Sequence, residues 1–132
     1  MVDPPHFFVD SSLGGKQVPA LLRAAGWSLT TLSEHYGVRT GEGVPDVDWL
    51  TLVGQQEWAV LHKDDKIRYR VAEAAALKSA GVHAFCIANG NLRSAEMAEL
   101  FLEHEREIFA ICRTPGPTLH SITKTTFREI EL

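Results

Sequence analysis

Hydrophobic positions in this chain switch repeatedly between a strand period and a helix period. His6-Phe7-Phe8-Val9 is a short apolar run that ends at Asp10 and predicts a buried strand. After the turn residues Ser11-Ser12-Leu13-Gly14-Gly15, Val18, Leu21, Leu22 and Ala25 recur at helical spacing. Pro19 fits only near the start of such a helix, and Gly26 ends it. Trp27 to Leu32 predicts a second strand, followed by a loop from Ser33 to about Pro45 whose three glycines make it mobile in expectation. Pro45-Asp46-Val47-Asp48 opens a second helix, with Trp49, Leu50, Val53 and Glu57 on the stripe that contains Asp46. Trp58 to His62 predicts a third strand with Lys63-Asp64-Asp65-Lys66 as its exit loop. Val71 to Ala80 predicts a helix stopped by Gly81, and Val82 to Ala88 a fourth strand closed by Asn89-Gly90-Asn91. Ser94 is expected to cap one long helix whose stripe is Met97, Leu100, Phe101, His104 and Ile108, broken at Pro115-Gly116-Pro117. The tail alternates like a hairpin, Leu119 to Lys124 and Phe127 to Leu132 across Thr125-Thr126.

Strands separated by helices predict an α/β fold. Its sheet is mainly parallel, with helices on both faces and a C-terminal hairpin that supplies edge strands. No repeat, low-complexity stretch or linker divides the 132 residues, so one domain over residues 1–132 is expected. A hydrophobic fraction of 45% argues against intrinsic disorder. No apolar run approaches the ~18 residues of a membrane-spanning helix. The start is neither basic nor apolar, so no signal peptide is expected, and Cys86 and Cys112 read as free thiols of a reducing cytoplasm.

Charge adds a location to this picture. The formal net charge is −4, and the whole deficit falls in residues 1–66, which hold every aspartate: Asp3, Asp10, Asp46, Asp48, Asp64 and Asp65. A strongly basic protein that coats nucleic acid is excluded; a local acidic cluster is not. Parallel strands share one carboxyl edge, and ligands collect beyond it. Asp10 ends the first strand, Asp64 and Asp65 the third, and Asn89 and Asn91 the fourth, while Asp46 starts the helix after the second. At ~4 Å and an effective dielectric of ~20 each pair of carboxylates costs about 4 kcal/mol. Protons or cations must relieve that repulsion. Oxygen ligands favour hard ions such as Mg²⁺ or Mn²⁺, which bind phosphates, activate water and stabilise in-line displacement. The pattern therefore predicts metal-dependent phosphodiester hydrolysis. Each aspartate taken singly has a second reading, as a cap or turn residue.

Phe7-Phe8-Val9-Asp10-Ser11-Ser12-Leu13-Gly14 resembles the opening of a PIN domain. Asp46-Val47-Asp48-Trp49-Leu50, followed by Trp58 to Arg68, resembles the short PIN-like branch related to VapC-type toxins. The resemblance covers about residues 6–132. It implies a PIN-like three-layer sandwich and an Mg²⁺- or Mn²⁺-dependent ribonuclease, in many members a toxin neutralised by a co-encoded antitoxin and often a homodimer. Matched position by position, Asp10, Asp46 and Asp64 take the places of the family's metal-binding, catalytic acids. Ser12 takes that of the hydroxyl supporting the first acid. In such a site Asp65 or Asp48 would serve as an outer or alternate ligand. Asn91, or as the second choice Asn89, stands where many members place another acid, which departs from the pattern and leaves a catalytically weak binding module as the alternative.

Lys63, Lys66, Arg68 and Arg70 crowd one short stretch around Tyr69, a composition suited to RNA phosphates with a stacking ring, and Arg93 falls near the same edge. The equal alternative is a solvated loop leading into a helix. The six histidines show no metal spacing, and His104 reads as a core histidine. His35 and Tyr36 lie in the Gly-rich loop and could touch a substrate, but nothing in the pattern selects them as site residues. A phosphoacceptor domain would need adjacent acids after the first strand and a Lys after the last core strand. Ser11-Ser12 and Asn89-Gly90-Asn91 supply neither.

Overall fold

The computed structural model describes residues 4–14, 16–37, 46–63, 71–88 and 92–131, with the backbone alone for 46, 47 and 71–73. β1 (His6–Val9) buries Phe7, Phe8 and Val9 together because both of its faces are covered. That is why it reads as a continuous apolar run rather than an alternation. A 3-10 turn (Ser11–Leu13) leads to α1 (Gln17–Ala24), β2 (Ser28–Thr31) and α2 (Leu32–Tyr36). Then come α3 (Asp46–Gln56), β3 (Ala59–Lys63), α4 (Val71–Ala80) and β4 (His83–Ile87). The chain closes with α5 (Ser94–Glu103), α6 (Glu105–Cys112), β5 (Thr118–Ile122) and β6 (Phe127–Ile130).

Among the described residues the strands form one six-stranded sheet in the order β2-β1-β3-β4-β5-β6. All neighbours are parallel except β5 and β6. Phe7, Val9, Leu61 and Phe85 meet Val18, Leu22, Met97, Phe101 and Ile108 on one face, so α1, α5 and α6 form one outer layer. Phe8, Val60 and Ala84 meet Trp49, Leu50, Val53 and Leu77 on the other, under α3 and α4. This is the three-layer α/β sandwich that the element pattern predicts. Among the described residues, no helix is long and apolar enough to cross a membrane. The two cysteines are not joined in a disulfide; Cys86 is buried and Cys112 half-buried, with burial pushing the Cys112 thiol up to about 12.

Five expectations are corrected. The segment after β2 is not all loop: Leu32–Tyr36 is helical, and residues 38–45 of the expected loop lie outside the described residues. The single long helix is two, broken at His104, whose backbone (φ −105°, ψ 16°) leaves the helical region. Arg93, not Ser94, takes its cap position, with its N–H donating to the Glu96 carboxylate (3.1 Å). Glu57 is not on the α3 stripe: it sits past the helix end at φ +59°, where Trp58 N–H and Glu57 N–H bond back to the Val53 and Gly54 carbonyls. β5 is an interior strand, parallel to β4, and only β6 is at the edge.

β5 also carries a polar chain into the core. The Thr114 carbonyl only accepts, so Nε2 of His83 (2.7 Å) carries a hydrogen. With His83 neutral, its Nδ1 accepts from the Thr118 hydroxyl (2.6 Å), which then accepts from Nε2–H of His120 (3.0 Å). Among the described residues Nδ1 of His120 is buried without a partner, in a ring that stacks on both Phe85 and Phe127, which also contact each other. Burial pushes the His120 pKa below its ordinary value, with Glu129 opposing and His83 adding. The unfolded chain therefore takes up this proton first, so the stability contribution is full above pH ~6.5 and is lost as pH falls. Urea unfolding should show stability declining from neutral pH into mild acid, with a shallower decline in His120→Phe. Equal slopes in the two proteins would contradict this assignment.

Candidate active site

Asp10 leaves the carboxyl end of β1, where its backbone N–H donates to the Leu61 carbonyl of β3 (3.0 Å). Its Oδ2 accepts from the Ser12 hydroxyl (2.7 Å) and from the Ser12 N–H (3.4 Å), capping the 3-10 turn. The Ser12 hydroxyl oxygen in turn accepts from the Lys63 N–H (3.0 Å). The hydroxyl proton is thus committed to Asp10 and a lone pair to β3. Lys63 is the last residue of β3 and directly precedes Asp64. The capping reading and the site reading of Asp10 therefore coexist: Oδ2 caps, while Oδ1 accepts no hydrogen bond among the described residues.

The other side of this edge is built by α2 and α3. Asp46 is the first residue of α3, and Asp48 is exposed in its first turn. Trp49, Leu50 and Val53 are buried as the spacing predicts, and Trp49 stacks on Phe8 with centroids 5.3 Å apart. That stack draws the start of α3 toward β1. Tyr36, at the end of α2, packs against the cluster that holds Trp49 and Leu50 of α3. Burial, with the negative field of Asp48 adding, raises its phenol above the ordinary value. Arg93, at the cap of α5, is exposed.

The structure thus brings together Asp10, Ser12 and Lys63. Asp64, Asp65, Lys66, Arg68, Tyr69, Arg70, Asn89 and Asn91 lie outside the described residues, as does the side chain of Asp46. Among the described residues no group of three or more His, Cys, Asp or Glu is placed to hold a metal ion. His62 is buried, and His104 is half-buried against Phe127 rather than in the core. Reading the segment after Thr31 as loop missed the order of His35 and Tyr36. The Thr31-x-x-Glu34 capping box was the signal that could have found it.

A cavity of about 440 Å³ opens at the opposite, amino-terminal edge, lined by His6, Glu57, Trp58, His83 and Thr114 among others. His6 has both ring nitrogens bonded, to Ser28 (2.6 Å) and Thr30 (2.8 Å), and His83 is likewise engaged at both. Neither imidazole there is left free for chemistry, whereas Oδ1 of Asp10 at the carboxyl edge accepts no hydrogen bond among the described residues.

A family model described as "PIN like domain" matches residues 5–89. The chain is 34% identical over 122 residues to "Putative ribonuclease VapC45" of Mycobacterium tuberculosis (strain ATCC 25618 / H37Rv), a span of 92% of this chain and 88% of that protein. No solved structure shows a significant match.

Ser12 joins two strand ends through one hydroxyl, and one of its bonds is to a carboxylate. Ser12→Ala should lower stability at neutral pH by about 1–2 kcal/mol in urea unfolding, and Ser12→Thr should recover most of it. Equal stability of the alanine variant and the unsubstituted protein would show that the bridge carries no energy.

Proposed function

We propose that this chain, which belongs to the PIN-like domain family, is a metal-dependent endoribonuclease that hydrolyses RNA phosphodiester bonds as the toxin of a toxin–antitoxin pair. One observation carries the reading: the Asp10–Ser12–Lys63 bridge ties together the strand ends that precede or hold two of the three candidate acids. The similarity to a protein named as a ribonuclease supports it independently and favours catalysis over the binding-module alternative.

Asp10 is suited to a cation. Ser12 fixes one oxygen of its carboxylate, and the other accepts no hydrogen bond among the described residues. Asp10, Asp46 and Asp64 would hold Mg²⁺ or Mn²⁺, which supplies positive charge to offset the acids and polarises a phosphoryl oxygen. Ser12 keeps Asp10 oriented. Asp48, Asp65 and Asn91 support the ligands from outside, the neutral Asn91 adding no charge. Lys63, Lys66, Arg68, Arg70 and Arg93 bind phosphates flanking the cleaved bond, and Tyr69 stacks on a base. The partners in this reading are RNA and an antitoxin protein, the setting is the cytoplasm, and one domain spanning residues 1–132 carries the activity.

RNA cleavage with Mg²⁺ or Mn²⁺ tests the reading, with chelator as the control. Asp10→Asn and Asp64→Asn should each lose at least ~100-fold in rate, beyond the ~10–100-fold usual for outer partners of a metal site, with circular dichroism unchanged. Equal rates in all three proteins, or cleavage indifferent to chelator, would overturn it.

A further inference from the structure

α2 is fixed at the carboxyl edge by more than its own backbone. The Thr31 hydroxyl accepts from the Glu34 N–H (3.1 Å), and the Glu34 carboxylate accepts from the Thr31 N–H (2.8 Å) and from Arg23 (2.7 Å). The same guanidinium donates to the Leu29 carbonyl of β2 (3.1 Å). Five residues do not hold a helix in water unaided, so these bonds define its position. The register gives that position: Val9 pairs with Thr31, so Asp10 and Leu32 leave the sheet side by side, about one strand spacing (~4.8 Å) apart.

Leu32 anchors α2 in the core, and the helix ends on two aromatic rings. His35 is exposed and Tyr36 half-buried; the rings meet edge to face, with centroids 4.6 Å apart and planes at 82°. Tyr36 packs against the apolar layer that holds Trp49 and Leu50 of α3. The aromatic pair therefore stands on the helix that leaves the sheet beside Asp10, against the layer that contains the helix opened by Asp46. Next to carboxylates an RNA backbone is repelled, whereas the flat face of a base meets no such penalty from an aromatic ring. A base inside a duplex has both faces covered by its neighbours; an unpaired base does not.

We propose that His35 and Tyr36 form a stacking subsite for one nucleobase of the RNA substrate. The inference rests on the ribonuclease reading and adds to it where the substrate is gripped. Steady-state cleavage of single-stranded RNA oligonucleotides with Mn²⁺ tests it. His35→Ala and Tyr36→Ala should each raise KM about tenfold, in line with alanine substitution at base–aromatic contacts, while kcat stays nearly unchanged. His35→Phe should restore KM. In oligonucleotides with an abasic site moved along the strand, one position should reproduce the loss in the unsubstituted protein and leave His35→Ala no worse. His35 is exposed, so its variants keep the test open if Tyr36→Ala fails to fold. Cleavage by the unsubstituted protein with KM unchanged in the His35 variants would overturn the subsite and leave the ribonuclease reading standing. Absence of cleavage by the unsubstituted protein would overturn both.

Discussion

β1 is hydrogen-bonded in parallel to β2 on one side and to β3 on the other, and this double pairing organises the rest of the molecule. A strand so placed has no free edge and no solvent face, which is why His6–Val9 is apolar almost throughout. Parallel pairing also sends the chain out of β1, β2 and β3 at the same edge. Asp10, α2 and Lys63 are neighbours because their strands run the same way in fixed register. The apolar core and the polar edge are two results of one constraint.

At that edge the proposed site sets the chain against its own electrostatics. In the proposed reading it gathers acids from separate segments. The Ser12 hydroxyl stabilises one of them by donating to Asp10 while accepting from Lys63. A hydroxyl can do both at once; a methyl group can do neither. In the proposed reading a divalent ion completes the balance, and the net charge of −4 becomes a sign of a missing cation rather than an argument against an RNA substrate. The aromatic pair on α2 fits the same logic, because stacking is a way to hold RNA beside carboxylates without adding charge.

Much of the fold was legible because burial leaves periodic marks. Val71–Ala80 was readable to the residue from its alanines and the stop at Gly81, and β1 from its uninterrupted apolar run. The break at His104 was not, because the stripe continues through it from Phe101 to Ile108 and only the backbone turns. The place of β5 was hidden for a different reason. Alternation shows that it pairs with β6, but its parallel pairing with β4 joins segments some 35 residues apart, such as His83 and Thr118, and leaves no local mark. At the site, Asp10 and Ser12 were legible as a strand end followed by a hydroxyl. The bond from Lys63 to Ser12 was not, since it depends on register between β1 and β3.

The central claim is that the carboxyl edge of this sheet, at Asp10, binds a hard divalent ion. Nuclear magnetic resonance with traces of Mn²⁺ reads this directly, because a bound paramagnetic ion broadens nearby amide signals. Broadening should begin at Asp10, Ser12 and Lys63, spare His83 and Thr118 at the opposite edge, and vanish in Asp10→Asn. Broadening centred on the amino-terminal edge, or identical in Asp10→Asn, would contradict the claim.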